Sequence, residues 1–236
     1  TTDATTKIWE SAFTPGLEMR GELRIVRLKG TPYEMGRQHA EFLRDEIIEG
    51  GAFVDSSYLS LLETMSNEYG FVAEAETQSY PDILDECRGM ADVLGDQGWP
   101  LSRCLTLAYG DVVLAHVEAG QVACSQFVAT GDATGGGEMI HGRNLDWSNI
   151  EFMLDYPVLF VRHPEGRIPY MTVGFPGSVA TYNGMNAAGM VVATNMNSTK
   201  NDLDRVGRSE VQLVNELLSS VTSLDEARQA IASTDH

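Results

Sequence analysis

The sequence predicts an α+β fold: a mainly helical first half, then a sheet of short antiparallel strands, then a pair of helices. Three observations predict it. Between Tyr33 and Ala119 apolar residues recur at helical spacing. From Cys124 onward, short β runs alternate with turns rich in glycine. From Ser209 the helical spacing returns. With 236 residues the chain is long enough for one large domain or two small ones. The change of character divides it into a mainly helical segment, 1–123, and a sheet with its helix pair, 124–236.

Residues 22–29 (Glu-Leu-Arg-Ile-Val-Arg-Leu-Lys) alternate as a strand does. The Gly30-Thr31-Pro32 break then opens a helix from Tyr33 through Leu43 that ends near Gly50-Gly51. A second helix is expected over Phe53–Tyr69, with Tyr58, Leu61, Leu62 and Met65 on one face. A third covers Tyr80–Leu94, with Pro81 in its first turn and Gly95 at its end. A fourth runs from Leu101 to Ala119. The β runs are Cys124–Thr130, Met139–Asn144, Pro157–His163, Tyr170–Gly174, Val179–Tyr182 and Met190–Asn195. Gly131-Asp132, Gly135-Gly136-Gly137, His163-Pro164-Glu165-Gly166 and Asn183-Gly184 are read as the turns between them. Two amphipathic helices, Ser209–Ser219 and Ser223–Ser233, close the order. A sheet with one face under those helices leaves its other face open unless something else packs there. The chain is therefore expected to be part of a longer protein whose continuation supplies that cover. Thr1 is not an initiator residue, so a leader is expected to have been removed.

The net charge of −18 argues against nucleic acid and anionic membranes as partners. The acidic residues are dispersed and read as a solvated surface. No apolar run approaches the ~20 residues of a membrane span. The three cysteines, 87, 104 and 124, lack CxxC spacing, and the five histidines lack metal-binding spacing, so no metal or other cofactor is expected. Cys87 and Cys104 fall on helical stretches and read as buried small residues, with a bridge between them as the alternative. The odd count leaves at least one thiol free.

Cys124 stands in chemically suggestive company. Ala123-Cys124-Ser125-Gln126-Phe127 opens a strand, and the next strand brings His141-Gly142-Arg143-Asn144-Leu145-Asp146-Trp147 back across a glycine-rich turn. A thiol with a pKa of about 8.5 is only a minority thiolate at neutral pH. An α-amino group, at about 7.7–8.0, is a far better base there than a lysine at about 10.4. A cysteine whose own nitrogen is freed supplies nucleophile and base together. Scission of the Ala123–Cys124 bond frees it: the thiol attacks the preceding carbonyl, which the small Ala123 leaves accessible. Arg143 would favour the thiolate and orient the scissile carbonyl, and Asp146 would hold the α-ammonium. Being an odd number of residues apart, the two point to opposite faces of an unbroken strand. Their convergence requires a twist or a strand exit, expected over Asn144–Asn149.

These motifs resemble the opening of the mature chain in cysteine N-terminal nucleophile hydrolases, the group with the choloylglycine hydrolase, acid ceramidase and N-acylethanolamine amidase relatives. Gly30-Thr31-Pro32-Tyr33-Glu34-Met35-Gly36-Arg37-Gln38-His39-Ala40 narrows the resemblance to the acyl-coenzyme A:6-aminopenicillanic acid acyltransferase family, the C45 autoproteolytic peptidases. Asn183-Gly184-Met185-Asn186-Ala187-Ala188-Gly189-Met190 is similar to a strand-turn-strand of the same family. The resemblance spans roughly residues 22 to 232. It implies an αββα sandwich and self-cleavage into an α chain ending at Ala123 and a β chain beginning at Cys124. It makes Cys124 the nucleophile, Asp146 its electrostatic anchor and Arg143 the match of the choloylglycine-type arginine. Asn195 aligns with a family asparagine and is the candidate oxyanion donor; the family's principal oxyanion asparagine would lie beyond His236. The implied substrate is a small N-acyl amide, with an acyl-coenzyme A donor in the transferase variant.

Trp147, Phe175 and Tyr182 are candidate walls of the substrate pocket, with plain packing as the competing reading. Two other functional readings are kept in view. One is a conventional cysteine hydrolase pairing Cys124 with His141 or His163, active without cleavage. The other is an unprocessed, catalytically idle relative that serves as a binding or scaffold protein.

Overall fold

The chain folds as α+β. The structure, a computed structural model, describes residues 13–54, 58–116, 123–146, 154–195 and 207–234. Strands β1 (Gly16–Arg20) and β2 (Leu23–Gly30) lead into seven helices: α1 (Pro32–Phe42), α2 (Arg44–Val54), α3 (Tyr58–Glu68), α4 (Phe71–Gln78), α5 (Pro81–Leu94), α6 (Leu101–Ala108) and α7 (Gly110–His116). Six strands follow: β3 (Ala123–Gly131), β4 (Gly137–Asp146), β5 (Val158–Pro164), β6 (Tyr170–Gly174), β7 (Asn183–Asn186) and β8 (Val191–Ala193). Helices α8 (Glu210–Ser220) and α9 (Leu224–Ser233) complete the described order.

The strands form a six-stranded sheet, β1-β2-β5-β6-β7-β8, and a separate β3-β4 hairpin. Every pairing is antiparallel except β2 with β5, which joins strands from the two halves of the chain. One face of the large sheet, with Val26, Leu28, Val158 and Phe160 buried, shares a single core with the helices. Alternation sends Leu159, Met171, Val173 and Met185 to the opposite face. These apolar residues are only partly covered among the described residues, and Val173 is exposed.

Helix α1 starts where local chemistry dictates. Thr31 Oγ1 accepts from the Glu34 N–H, and the Glu34 carboxylate accepts from the Thr31 N–H at 2.8 Å, a reciprocal capping box ahead of Pro32. Ser209 and Ser223 cap α8 and α9 from one side only, their hydroxyls accepting from the Gln212 and Glu226 N–H groups. Helices α1 and α5 touch backbone to backbone. A Cβ on Gly36 would lie 2.0 Å from the Glu86 carbonyl oxygen, and one on Gly89 2.1 Å from that of Tyr33.

That close contact encloses a buried charge cluster. Glu86 on α5 accepts from Arg162 Nη1 of β5 at 2.6 Å on both oxygens, and His39 Nδ1 of α1 lies 3.8 Å from the same carboxylate. The Gly177 N–H donates to His39 Nε2 at 3.0 Å, so the imidazole proton sits on Nδ1, facing Glu86. Burial alone would raise the Glu86 carboxyl; Arg162 and His39 outweigh it and hold the group below its ordinary range.

Several expectations need correction. The helix expected from Tyr33 to Gly50 breaks at Leu43, and the one expected from Leu101 to Ala119 breaks at Tyr109; its last residues, 117–119, lie outside the described segments. Helix α4 and strand β1 lie where no element was expected. Val179–Tyr182 is not a strand, and Asn183-Gly184 is not a turn but the start of β7. Cys87 and Cys104 are not separate thiols: they are bonded to each other, tying α5 to α6.

Candidate functional site

The candidate site sits on the β3-β4 hairpin, held together by ladder register and one tight turn. Gly131 and Gly135 adopt φ values of 60° and 65°, conformations that favour glycine, and Thr134 Oγ1 donates to the Gly131 carbonyl at 3.0 Å. The register then fixes which side chains share a face. Cys124 pairs with Leu145, Gln126 with Arg143, and Val128 with His141, so Cys124 and Arg143 are diagonal neighbours on one face. Ala123 pairs with Asp146 on the other.

Arg143 is the connecting side chain. Its Nη2 approaches Cys124 Sγ at 3.5 Å, while Nη2 and Nε donate to the Thr194 carbonyl at 3.0 and 3.3 Å. The guanidinium lies 5.8 Å from the centre of the Tyr182 ring. The Thr194 N–H in turn donates to the Tyr182 carbonyl at 3.0 Å, so ring and carbonyl belong to one fastened unit at the edge of the large sheet. Burial, with Asp111 acting in the same direction, pushes the Tyr182 phenol well above its ordinary range. Cys124 is half-buried and is the one cysteine outside the disulfide.

The arrangement thus gathers Cys124, Arg143 and Tyr182, and it places exposed Asn195 immediately after the Thr194 carbonyl that Arg143 grips. Asp146 departs from expectation. Strand β4 stays regular through Asp146, so the strand exit expected from Asn144 onward is absent there, and the carboxylate lies on the face opposite Cys124 and Arg143. Asp146 is exposed, and its carboxylate has no hydrogen-bond or ion-pair partner among the described residues. Phe175 is buried in the turn after β6, where the Ser178 N–H donates to its carbonyl. Trp147 lies outside the described residues, as do the six residues before Ala123.

Neither candidate histidine is hydrogen-bonded to the thiol. His141 Nε2 and Gln126 Oε1 are 2.9 Å apart, and His163 stacks on Phe13 with centroids 3.7 Å apart. Sequence reasoning missed Gln126 and Thr194. The first had a signal, since Gln126 and His141 sit two rungs from being directly paired; a carbonyl such as that of Thr194 has none. Among the described residues no group of three or more His, Cys, Asp or Glu could hold a metal ion, and no helix is long and apolar enough to cross a membrane.

No family model matches the chain. It is similar to an uncharacterized protein of Archaeoglobus fulgidus, with 25% identity over 88% of this chain and 40% of that protein. It is also similar to the protein dcd1B of Dictyostelium discoideum, with 24% identity over 61% of this chain and 32% of that protein. The chain therefore spans well under half the length of either relative.

Proposed function

We propose that the protein is an autoproteolytically activated cysteine amidohydrolase or acyltransferase that takes N-acyl groups through a thioester on Cys124. The observation that carries this reading is the 3.5 Å approach of Arg143 Nη2 to the half-buried Sγ of Cys124, at the first rungs of a strand. A guanidinium at that distance can donate to the sulfur, and among the described residues its Nη1 is left for an incoming carbonyl.

In the activation step Sγ attacks the Ala123 carbonyl carbon. The bond to the Cys124 nitrogen breaks, the thiol proton goes to that nitrogen, and a thioester remains. Water then releases the Ala123 carboxylate and restores the thiol beside a free α-amine. In turnover the amine takes the thiol proton, Sγ attacks the N-acyl carbonyl, and the amine returns the proton to the leaving nitrogen. Water completes hydrolysis; an amine acceptor completes transfer, with an acyl-coenzyme A as the alternative donor. Asp146 anchors the freed ammonium from the far face of the hairpin. Asn195, beside the Arg143 anchor, is the candidate oxyanion donor.

The test is mass spectrometry of the purified full chain and of Cys124→Ala. The expected result is one scission, between Ala123 and Cys124, abolished in the variant, with amide hydrolysis confined to cleaved protein. An intact wild-type chain that hydrolyses amides would overturn the mechanism. An intact chain without thioester chemistry at Cys124 would point to the idle scaffold reading.

A further inference from the structure

We infer that Tyr182 is a positioning residue that holds Arg143 against the Cys124 thiol; this deepens the proposed function and rests on it for its catalytic meaning. Among the described residues, the hairpin that carries Cys124 pairs with no strand of the large sheet. Arg143 bridges that gap. Its Nε and Nη2 donate to the Thr194 carbonyl, its Cζ lies over the Tyr182 ring at 5.8 Å from the centre, and Nη2 also reaches Sγ.

A long guanidinium on a strand with exposed neighbours has many rotamers, and a single carbonyl contact does not select one. The ring supplies the second constraint. Tyr182 packs against the hydrophobic core and is therefore fixed, while its backbone carbonyl holds the Thr194 N–H, so the two surfaces that clamp Arg143 cannot drift apart. The aromatic face attracts the cation as the carbonyl does, and the guanidinium is confined between them. The ring carries this role.

The experiment is alkylation of Cys124 by iodoacetamide in the full chain, followed by mass spectrometry, which also reports whether the 123–124 bond is intact. Cys124 is the one thiol outside the disulfide, so the reaction reads that residue alone. Tyr182→Leu should slow alkylation by about fivefold, the weight of one partly buried cation–π contact. Tyr182→Phe should restore the wild-type rate, and Tyr182→Leu should add nothing in an Arg143→Gln background. A phenylalanine variant as slow as the leucine variant, or a leucine effect that persists undiminished without Arg143, would overturn the assignment. If the leucine variant does not fold, Arg143→Lys serves instead: it keeps the charge but not the fork, and alkylation at the wild-type rate would count against the clamp. Loss of scission with the clamp effects intact would reject the proposed function while sparing this inference.

Discussion

Replacing Glu86 by glutamine should be among the most damaging isosteric changes in the chain. Glu86, Arg162 and His39 are 2%, 1% and 0% exposed. The substitution keeps shape and one acceptor but leaves the Arg162 charge buried without its counter-ion. Removing one partner of a buried pair costs about 3–5 kcal/mol. Coulomb attraction between unit charges about 4 Å apart at an effective dielectric of 20 gives a similar ~4 kcal/mol. For a chain of this size that corresponds to a fall in Tm of roughly 10 °C. Urea unfolding followed by tryptophan fluorescence measures the loss. Arg162→Met should cost a comparable amount, whereas the double variant Glu86→Leu/Arg162→Met should recover most of it, because no charge is then stranded. The acid limb carries a sign. The Glu86 carboxyl is held below its ordinary 4.5, so its stabilisation is present above that pH and is lost as pH falls through the native value. The gap between wild type and Glu86→Gln should therefore close below pH 4.5. A loss under about 1 kcal/mol at neutral pH, or a double variant worse than both singles, would refute the reasoning.

Two further outcomes follow from groups outside the site. Cys87 and Cys104 are 17 residues apart, so replacing both by alanine should cost about 3 kcal/mol by loop-closure entropy. Dithiothreitol should shift the urea midpoint of wild type but not of that variant; a wild-type midpoint indifferent to reductant would refute the bridge. Asp111 accepts from Ser209 Oγ, Glu210 N and Val211 N at the start of α8, yet burial pushes its carboxyl up to about 6 from an ordinary 3.8. A raised acid binds its proton more tightly in the native state, so its contribution falls by about 3 kcal/mol as pH rises from below 3.8 to above 6. Asp111→Asn should remove that slope, read as urea midpoints across pH 4–7; parallel pH curves would refute it.

The sequence disclosed elements that chemistry near in the chain dictates. Thr31-Pro32 with Glu34, Ser209 and Ser223 mark helix starts within a residue of those observed, because a cap is a local hydrogen bond. The break at Leu43 carries no glycine or proline signal, and the one at Tyr109 has only Gly110 beside it, which reads as helix interior. Leu43 and Tyr109 are both fully buried, and packing sets the kinks. The misread segment after Phe175 has a specific cause. Ser178 Oγ donates to the Ala180 carbonyl and Thr181 Oγ1 to that of Asn183, so side chains occupy backbone groups a strand would have used. Gly184, read as a turn former, serves close packing instead: a Cβ there would lie 2.5 Å from Leu218 Cδ1 and from the Met171 carbonyl. The turn falls at Gly189, with φ of 85°. The parallel β2-β5 pairing brings together residues more than a hundred positions apart, and no window of sequence encodes it.

The candidate site divides along the same line. That Cys124 and Arg143 belong together was legible, since a hairpin makes a fixed offset into a diagonal contact. The expected convergence of Asp146 with them on one face is not what the register shows. Alternation keeps its carboxylate off the thiol's face, where Arg143 is the cation beside Sγ among the described residues. Yet the group that Asp146 is proposed to hold is not a side chain. The nitrogen released on scission belongs to the main chain, which both faces of a strand can reach, and the register sets Asp146 opposite the residue whose bond to that nitrogen would break. Thiol and amine would then be served from opposite faces of one hairpin: a cation beside the sulfur and an anion behind the nitrogen. Opposed placement would keep the two charges from neutralising each other, and in the proposed mechanism each would then act on its own reacting atom.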